Sequence, residues 1–363
     1  MSLLNERMTD DGLIRHRLFN HGLAGTSFNC AEHLVKAMGC IQSQDFTAAK
    51  WAIGNRIAGL TDLDVEVAFN EGKLLRTHVL RPTWHFVCPE DIGWMLKLTA
   101  PRIKNLCRSL NQQHDLDAKL RDRSRWVIVK ALQDYKQLTR MELQVFLKEA
   151  AIKTDSIRLA LLMLDAELAG LICSGRKRGN QFTYALMEDR VGQKLILEGE
   201  DALTEIGARY FKSRGPATLH DFSWWSGLSM SDAKKSVHLN RKELTKMVLG
   251  DQVYWFVAKV HEETQREPAV HLLPGFDEYA LAYKNRRHLL PPEVAAFTGN
   301  DVSKPLIVMN GKVAGTWKRS EKKDRLRIEF KPIVPFDKIG YQAVLEVAEE
   351  YARFANKTGT YVF

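Results

Sequence analysis

The sequence lacks the long apolar runs and the common catalytic signatures. No apolar run reaches the roughly 18 residues that a membrane-spanning helix needs. Residues 1–8 show neither the apolar region nor the small-residue cleavage site of a signal peptide. The motifs G-x-G-x-x-G, Walker A, G-x-S-x-G and H-E-x-x-H are also missing. We therefore predict a cytoplasmic protein without the nucleotide-cofactor, esterase or zinc-protease chemistry that these motifs carry.

Cysteine is scarce, and its pattern excludes the usual metal sites. The chain has 5 cysteines, none of them in a C-x-x-C pair and none near a histidine cluster at zinc-ligand spacing. They are Cys30, Cys40, Cys88, Cys107 and Cys173. Their scatter predicts reduced, mostly buried thiols, with no structural metal and no cofactor.

Acidic residues are outnumbered by basic ones. The 53 lysines and arginines exceed the 44 aspartates and glutamates, which gives a formal charge of +9 and an isoelectric point near 9.2. Such a surplus attracts polyanions, nucleic acid first and anionic membranes second, but it does not by itself establish a partner. The 363 residues suffice for two or three hydrophobic cores.

One order of elements, three helices followed by a short basic hairpin, is clearest between about residues 120 and 190. Residues 125–132 predict an amphipathic helix, and Thr139 with Glu142 has the capping-box spacing that begins a second helix. A third helix is predicted from Thr154 or Asp155 to Gly170, with Ile157, Leu161, Leu164 and Leu168 on its apolar face. Residues 171–174 and 181–186 then flank a glycine-bounded turn as strands. This order predicts a winged helix, a helix-turn-helix variant.

The same order recurs more loosely in two other places. Residues 10–90 contain three predicted helices and an alternating hairpin, and a further helix covers residues 90–112. Near residues 200–260, a helix ends at residues 215–216, Thr218 and Asp221 cap the next, and a strand pair includes residues 253–257. The pattern changes after about residue 265, where Asn310 and Gly311 predict a tight hairpin and residues 339–356 a helix.

These patterns predict a mainly α fold with β-hairpins, of the α+β class. We expect three tandem winged-helix domains and a C-terminal α+β domain. The predicted boundaries are 1–115, 116–192, 193–264 and 265–363.

Four separated segments of the chain resemble signatures of the AlkZ-like DNA glycosylases. They are residues 80–87, 210–228, 272–286 and 311–319, and they occur in the family's order. The resemblance covers nearly the whole chain. It implies winged-helix domains arranged in a C-shape around a DNA-binding channel, and monofunctional excision of N-alkylated purines, in some members with unhooking of interstrand crosslinks. The family's catalytic motif is Q-x-Q or Q-x-D, and Gln42-Ser43-Gln44 resembles the Q-x-Q branch.

The chemistry of base excision explains why glutamines suit that motif. A purine alkylated at N7 or N3 already carries positive charge, so it leaves without protonation by an enzyme acid. A carboxamide accepts and donates hydrogen bonds, so Gln42 and Gln44 are predicted to orient the water that attacks C1′. Residues two apart point the same way in an extended segment but not on a helix, so we place the pair before the next helix. The alternative is that both residues only help to cap that helix.

Further candidate site residues lie beside this motif and on two hairpins. Asp45 is predicted to cap a helix, with a general base or a stabiliser of the cationic sugar as the alternative. His85 is interpreted either as a contact to phosphate or sugar, or as a packed, hydrogen-bonded histidine. We also expect DNA contacts from eight residues of the hairpins. These are Arg76, His78, Arg81, Arg176, Lys177, Arg178, Asn180 and Gln181.

Other patterns carry less chemistry. Trp224 and Trp225 are assigned to the core because they share helical spacing with Phe222 and Leu228. Residues 277–279 match a family signature, but their role is not evident from the residues. No helix-hairpin-helix pattern with a catalytic Asp and Schiff-base Lys is evident, which favours hydrolysis without lyase activity.

Three functions remain open from sequence. The first is a monomeric DNA glycosylase acting on alkylated double-stranded DNA, the second a non-catalytic DNA-binding regulator, and the third a protein-interaction module. A fold does not fix function, so the enzymatic reading depends on the motif and the resemblance.

Overall fold

The structure is a computed structural model that describes residues 9–25, 28–192, 195–258, 268–290 and 302–363. The signal-peptide prediction for residues 1–8 and the predicted boundaries at 192/193 and 264/265 therefore involve residues outside the described ones. No described helix is long and apolar enough to cross a membrane.

The described helices follow in chain order. They are α1 (Asp10–Asn20), α2 (Ala31–Met38), α3 (Phe46–Gly54), α4 (Asp62–Glu71), α5 (Pro89–Leu106), α6 (Arg108–Gln113), α7 (Ala118–Tyr135), α8 (Arg140–Glu149), α9 (Ser156–Leu168), α10 (Met187–Arg190), α11 (Gly199–Arg214), α12 (Leu219–Ser226), α13 (Met230–Leu239), α14 (Glu278–Leu281) and α15 (Lys338–Phe354).

The described strands are short, except in the C-terminal region. They are β1 (Ile41–Gln42), β2 (Leu75–His78), β3 (Trp84–Val87), β4 (Gln137–Thr139), β5 (Ile172–Ser174), β6 (Thr183–Leu186), β7 (Thr245–Leu249), β8 (Gln252–Phe256), β9 (Val270–Leu273), β10 (Leu306–Met309), β11 (Lys312–Lys322), β12 (Arg325–Pro332) and β13 (Thr358–Val362). The mixture of helices and strands confirms the predicted fold class.

Side-chain caps explain where many helices begin. Thr139 and Glu142 form the predicted capping box at α8, with both reciprocal hydrogen bonds present. At α12, the backbone N–H of Asp221 donates to Thr218 Oγ1, and the Thr218 N–H donates to Asp221 Oδ2. Asp155 accepts from two N–H groups at the start of α9. The caps predicted at these three sites are thus confirmed.

The contacts divide the chain into two compact units. The first comprises residues 1–66, 204–225 and 229–363, and the second comprises residues 67–203 and 226–228. The predicted domain 116–192 lies wholly in the second unit and the predicted domain 265–363 wholly in the first. The division into four domains remains a prediction.

The second unit contains a complete winged-helix topology. In chain order it runs α7, β4, α8, α9, β5 and β6, and the three strands form one sheet in the order β4-β6-β5. Its core includes Ile128, Leu132, Leu143, Leu147 and Leu162, all fully buried. The three helices meet at these aliphatic side chains, so burial of the amphipathic faces holds the winged helix together.

In the first unit, a second hairpin and a five-stranded sheet are the main β elements. Strands β7 and β8 form the hairpin, and a bridge joins Ala217 to Trp255 in β8. The sheet has the order β13-β12-β11-β10-β9, with the hairpin predicted at Asn310 and Gly311 connecting β10 to β11. Gly311 has φ of 78°, a backbone conformation that favours glycine.

Within the described ranges, the order helix, short strand, two helices and hairpin occurs three times. It runs α2-β1-α3-α4-β2-β3, then α7-β4-α8-α9-β5-β6, and finally α11-α12-α13-β7-β8, with the bridging residue Ala217 in place of the short strand. The copies that begin with α7 and α11 lie where the sequence placed them. The first copy differs from the prediction, because α4 was not predicted and takes the third position, which leaves α1 outside the repeated order. Strand β13 was not predicted either.

Two core assignments from sequence are wrong. Ile157 is 47% exposed, because the buried face of α9 is formed by Leu159, Leu162 and Ala166. Trp224 is 44% exposed, whereas Trp225 is fully buried. Adjacent residues on a helix point about 100° apart, so α12 cannot bury both indoles against one core.

Candidate active site

The Q-x-Q motif lies on a short extended connection between α2 and α3. Helix α2 ends at Met38, and Gly39 has φ of 78° at its C-terminal cap. Gln42 ends β1, and the chain bends at Gln44 before α3 begins. We refer to residues 39–45 as the glutamine loop. Its position before the helix agrees with the prediction.

The two glutamines differ in exposure. Gln42 is 7% exposed, whereas Gln44 is exposed to solvent. The sequence predicted two side chains pointing the same way, but the bend after Ser43 interrupts the extended backbone. Gln44 is thus the accessible carboxamide of the pair, and Gln42 is held in the protein.

A buried ion pair, Arg214 with Glu278, fixes the backbone of the glutamine loop. The backbone N–H of Gln42 donates to Glu278 Oε1 at 2.9 Å. Glu278 Oε2 accepts from Arg214 Nη2 at 2.7 Å and from Trp225 Nε1 at 2.9 Å. Glu278 and Arg214 side chains are 1% and 0% exposed. Because the acceptor is buried and held by two other donors, Gln42 has little freedom to shift.

Arg214 also binds the beginning of the loop. Its Nη1 donates to Met38 O at 2.7 Å, and its Nη2 donates to Cys40 O at 3.1 Å. These carbonyls lie on either side of Gly39. One guanidinium therefore fixes the backbone where α2 ends, and its partner Glu278 fixes the backbone at Gln42.

A second buried ion pair positions the end of α3. Arg56 donates to both carboxylate oxygens of Asp277, at 2.8 and 2.7 Å, and its Nε donates to His21 O. Near the middle of α3, Trp51 Nε1 donates to Leu272 O at 2.6 Å. Helix α3 is consequently anchored to the segment that contains Glu278.

These contacts give residues 277–279 a role that the sequence did not reveal. Asp277 pairs with Arg56, Glu278 binds the glutamine loop, and the Tyr279 hydroxyl donates to Gly311 O. The sequence did contain a signal for this role, namely two adjacent acidic residues within an apolar segment. Carboxylates that are buried in a protein are paired, so such residues indicate ion pairs. The partners themselves are distant in sequence.

Asp45 occupies the predicted capping position. Its Oδ1 accepts from the Ala48 backbone N–H at 3.0 Å, and Asp45 is exposed at the start of α3. The cap is therefore confirmed. A catalytic role for the same carboxylate remains a prediction.

His85 is fully buried on β3, in the second unit. Its Nδ1 lies 2.8 Å from Thr83 O. This is the packed, hydrogen-bonded placement that the sequence left open as an alternative. Contact with DNA would require the ring to become exposed.

The hairpin formed by β2 and β3 buries or partly buries the residues that the sequence predicted to contact DNA. Arg76 is 8% exposed, and its guanidinium lies 4.5 Å from the Trp84 ring centroid and 4.9 Å from that of Phe182. His78 Nδ1 lies 2.7 Å from the buried Glu167 carboxylate. Arg81 is half-buried in the bend after β2. Arg76 and His78 thus pack and pair within the second unit, where aromatic rings and a carboxylate stabilise them.

The wing between β5 and β6 is the most exposed of the predicted DNA-contacting segments. Arg176, Arg178, Asn180 and Gln181 are exposed, and Lys177 is partly exposed. Backbone hydrogen bonds between Arg178 and Gln181 close its tip in both directions, at 2.9 and 3.1 Å. The tip therefore projects its polar side chains from a closed turn.

Arg178 differs from the other cations of the wing. Its Nη1 donates to Glu142 Oε1 at 2.7 Å, and its Nη2 donates to Gln137 O at 3.0 Å. Arg178 thus attaches the wing to the start of α8. A phosphate contact by this residue would compete with its bonds inside the protein.

His21 lies near three arginines, two of which belong to the ion pairs described above. His21 is fully buried, and its Nε2 lies 2.9 Å from the Tyr283 hydroxyl. Burial, followed by the charges of Arg56, Arg214 and Arg17, holds the pKa of His21 well below its usual value of 6.5. His21 is therefore neutral near pH 7. Tyr283 also donates to Arg214 O, so this histidine adjoins the arginine that fixes the glutamine loop.

The described residues contain no group of three or more His, Cys, Asp or Glu side chains arranged to hold a metal ion.

Comparisons with known proteins agree with the resemblance in sequence. Residues 35–354 match the family described as DNA glycosylase AlkZ-like. A Streptomyces sahachiroi protein named interstrand DNA cross-link repair glycosylase is 25% identical over 307 residues, which are 79% of this chain and 81% of that protein. The solved structure of the Streptomyces sahachiroi DNA glycosylase AlkZ has a TM-score of 0.80 and 22% identity, covering 98% of this chain and 100% of that one. This structural likeness shows a shared fold.

These matches place the chain among the DNA glycosylases, hydrolases that act on N-glycosidic bonds and take DNA as their substrate. Within that class, the chain belongs to the AlkZ-like DNA glycosylase family.

Proposed function

We propose that this glycosylase excises N7- or N3-alkylated purines from double-stranded DNA, including purines joined in interstrand crosslinks, and that Gln42 and Gln44 position the attacking water. The observation that carries the proposal is the glutamine loop, in which an exposed Gln44 follows a Gln42 held by the buried Glu278. The name of the 25% identical relative, an interstrand cross-link repair glycosylase, supports the substrate class.

The reaction needs little acid catalysis. The alkylated base is cationic, so when the C1′–N bond breaks, its electron pair moves to the ring nitrogen and neutralises the base. The water oxygen bonds to C1′ and releases its proton to solvent. The protein orients the water and the sugar. Holding the reacting atoms in place raises the reaction rate by several orders of magnitude. Gln44 contacts the water from the exposed side of the loop, and the buried Gln42, whose backbone N–H is bound by Glu278, provides the second carboxamide.

The wing supplies DNA contacts in this proposal. Arg176, Lys177, Asn180 and Gln181 project from a closed turn and would bind phosphates or enter a groove. Arg178 would act mainly by holding the wing to Glu142.

The test uses a duplex that contains one N7-alkylguanine, followed by alkali to cleave any abasic site. The wild type should give strand scission at the lesion. Gln42→Ala and Gln44→Ala should each lower the single-turnover rate by about 100-fold or more while DNA affinity is retained. Gln113→Ala, which removes an exposed glutamine from α6, is the matched control and should be fully active.

A crosslinked duplex tests the wider substrate range. Unhooking by the wild type and not by Gln44→Ala would extend the activity to crosslinks. Intact DNA with every N-alkylpurine tried, together with sequence-selective binding, would contradict the proposal and favour a regulator.

A further inference from the structure

The first unit contains an open cationic cleft that the glutamine loop does not use. Its volume is about 600 Å³, and it is bordered by α12, β8 and residues 284–290. The lining includes four cationic side chains and one carboxylate. These are Arg17, Lys284, Arg286, Arg287 and Asp221.

The carboxylate in the cleft serves to shape it. Asp221 is 2% exposed. Its Oδ1 accepts from the backbone N–H groups of Lys284 and Asn285, at 2.8 and 3.4 Å, and its Oδ2 accepts from Thr218 N–H. Asp221 therefore holds the cationic loop against the start of α12. Because three N–H groups already bind its oxygens, the cleft favours an anion over a cation.

The cations of the cleft differ in how exposed they are and in how firmly the protein holds them. Arg17 is buried, donates to Pro216 O and lies 3.6 Å from the Tyr283 ring centroid, so its guanidinium is held in one position. Lys284 and Arg287 are exposed at the rim. Among the residues that the structure describes, Arg287 lies 3.9 Å from the carboxylate of Asp251, which is 79% exposed, and an ion pair of that kind contributes little.

An exposed aromatic ring stands beside these cations. Trp224 follows His220 by four positions on α12, so both side chains lie on the same face of the helix. Trp224 Nε1 donates to Leu281 O at 3.2 Å, and the Arg286 guanidinium lies 5.8 Å from its ring centroid. The indole is thus oriented by the protein while 44% of the residue remains exposed.

We infer that this cleft binds the phosphodiester backbone of the DNA substrate as a contact separate from the wing. Lys284 and Arg287 bind phosphates, Arg17 adds fixed positive charge beneath them, and Trp224 packs against the sugar. Open cationic grooves with an oriented aromatic side chain suit a sugar-phosphate chain. The same segment carries Glu278 at its start and these cations at its end, so the scaffold of the glutamine loop continues into the DNA contact.

The salt dependence of binding to an undamaged duplex tests the inference without any assumption about the lesion. Each lost phosphate contact should reduce the slope of log K against log salt by about 0.9, and should weaken binding at 0.1 M salt by roughly tenfold. Lys284→Ala with Arg287→Ala should therefore reduce the slope by about 1.8. Lys331→Ala with Lys338→Ala removes equal charge from exposed positions of the same unit and should leave the slope unchanged.

A variant with one substitution and circular dichroism spectra are the controls for misfolding. Lys284→Glu changes one exposed side chain and should weaken binding more than Lys284→Ala, with an unchanged midpoint of denaturant unfolding. Trp224→Ala should weaken binding, whereas Trp224→Phe should retain it. Equal slopes in the wild type and the cleft double variant, with both folded, would overturn the inference.

A scan with neutral methylphosphonates identifies the contact itself. One substitution along the duplex should weaken binding of the wild type but not of Lys284→Ala, because the variant has already lost that contact. If every position affects both proteins equally, Lys284 does not bind a phosphate. Binding of inorganic phosphate to the cleft of the wild type, with DNA binding unaffected, would also contradict the inference, because it would make the cleft a small-anion site.

Discussion

The backbone N–H of Gln42 is hydrogen-bonded to Oε1 of Glu278, 236 positions further along the chain, at 2.9 Å. The carboxylate is buried, and its other oxygen is bound by Arg214 and Trp225. The residue that links the glutamine loop to the C-terminal region is therefore an anion that cannot be removed without leaving Arg214 unpaired.

Glu278→Leu should lower both stability and activity. The apolar side chain leaves the buried Arg214 charge without its counter-ion, which costs about 3–5 kcal/mol in the free energy of unfolding. The Gln42 N–H also loses its acceptor, so the single-turnover rate of base excision should fall while DNA affinity changes little. Denaturant unfolding and a rate at saturating protein measure the two effects.

A double variant separates positioning from stability. Arg214→Met with Glu278→Leu removes both charges and should recover part of the lost stability, because no unpaired charge remains. Its excision rate should stay low, since Gln42 N–H still lacks its acceptor. A double variant with the rate of the wild type would show that the Glu278 contact does not position Gln42.

Substitutions of Asp45 can distinguish a role in capping α3 from a role in catalysis. Asparagine caps helices about as well as aspartate, whereas alanine costs about 1 kcal/mol. We expect Asp45→Asn to retain the stability of the wild type and an excision rate within about threefold of it, and Asp45→Ala to lose stability. Thermal unfolding and single-turnover rates provide the comparison. A loss of about 100-fold in Asp45→Asn would instead identify the carboxylate as a catalytic group.

His21 should make the fold less stable as the pH falls. Its pKa in the folded protein lies well below 6.5, so below about pH 6.5 the unfolded chain binds a proton that the folded chain does not. The stability from this group is complete above pH 6.5 and declines by up to about 1.4 kcal/mol per pH unit toward the folded-state pKa.

His21→Gln provides the control for that slope. Glutamine does not titrate, so the difference in unfolding free energy between the variant and the wild type should shift in favour of the variant from pH 7 to pH 5. The comparison cancels the contributions of other histidines whose pKa values are lowered, such as His16 and His288. A difference that stays constant over this range would show that His21 does not titrate in this way.

Two arginines of the wing should respond differently to mutation. Arg176 is exposed, so Arg176→Ala should reduce the salt slope of DNA binding by about 1 and leave stability unchanged. Arg178 binds Glu142 and Gln137 O, so Arg178→Ala should lower stability slightly, by at most about 1 kcal/mol, and affect binding less. The reverse order of effects would mean that Arg178 leaves Glu142 to bind DNA.

Local patterns predicted much of the secondary structure. Thr139 with Glu142, Thr218 with Asp221, and the Asn310-Gly311 turn all lie where the sequence placed them. Caps and tight turns depend on backbone hydrogen bonds between near neighbours, so a few residues suffice to specify them.

Other features were missed because they depend on distant residues. Arg76 and His78 were predicted to contact DNA, yet Trp84, Phe182 and Glu167 contact these side chains within the protein. Helical spacing placed Trp224 in the core, but the face of α12 that carries it stays exposed. Periodicity shows that side chains share a face and does not show what covers that face.

The sequence alone determined many of the helices and hairpins, the family and the location of the Q-x-Q motif before α3, because these depend on residues that are close together in the chain. Only the tertiary structure decided that Gln42 is held by Glu278, that Arg56 pairs with Asp277, and that Lys284 and Arg287 border a cleft. Buried charges must find partners wherever folding places them, and those partners come from segments far apart in the chain.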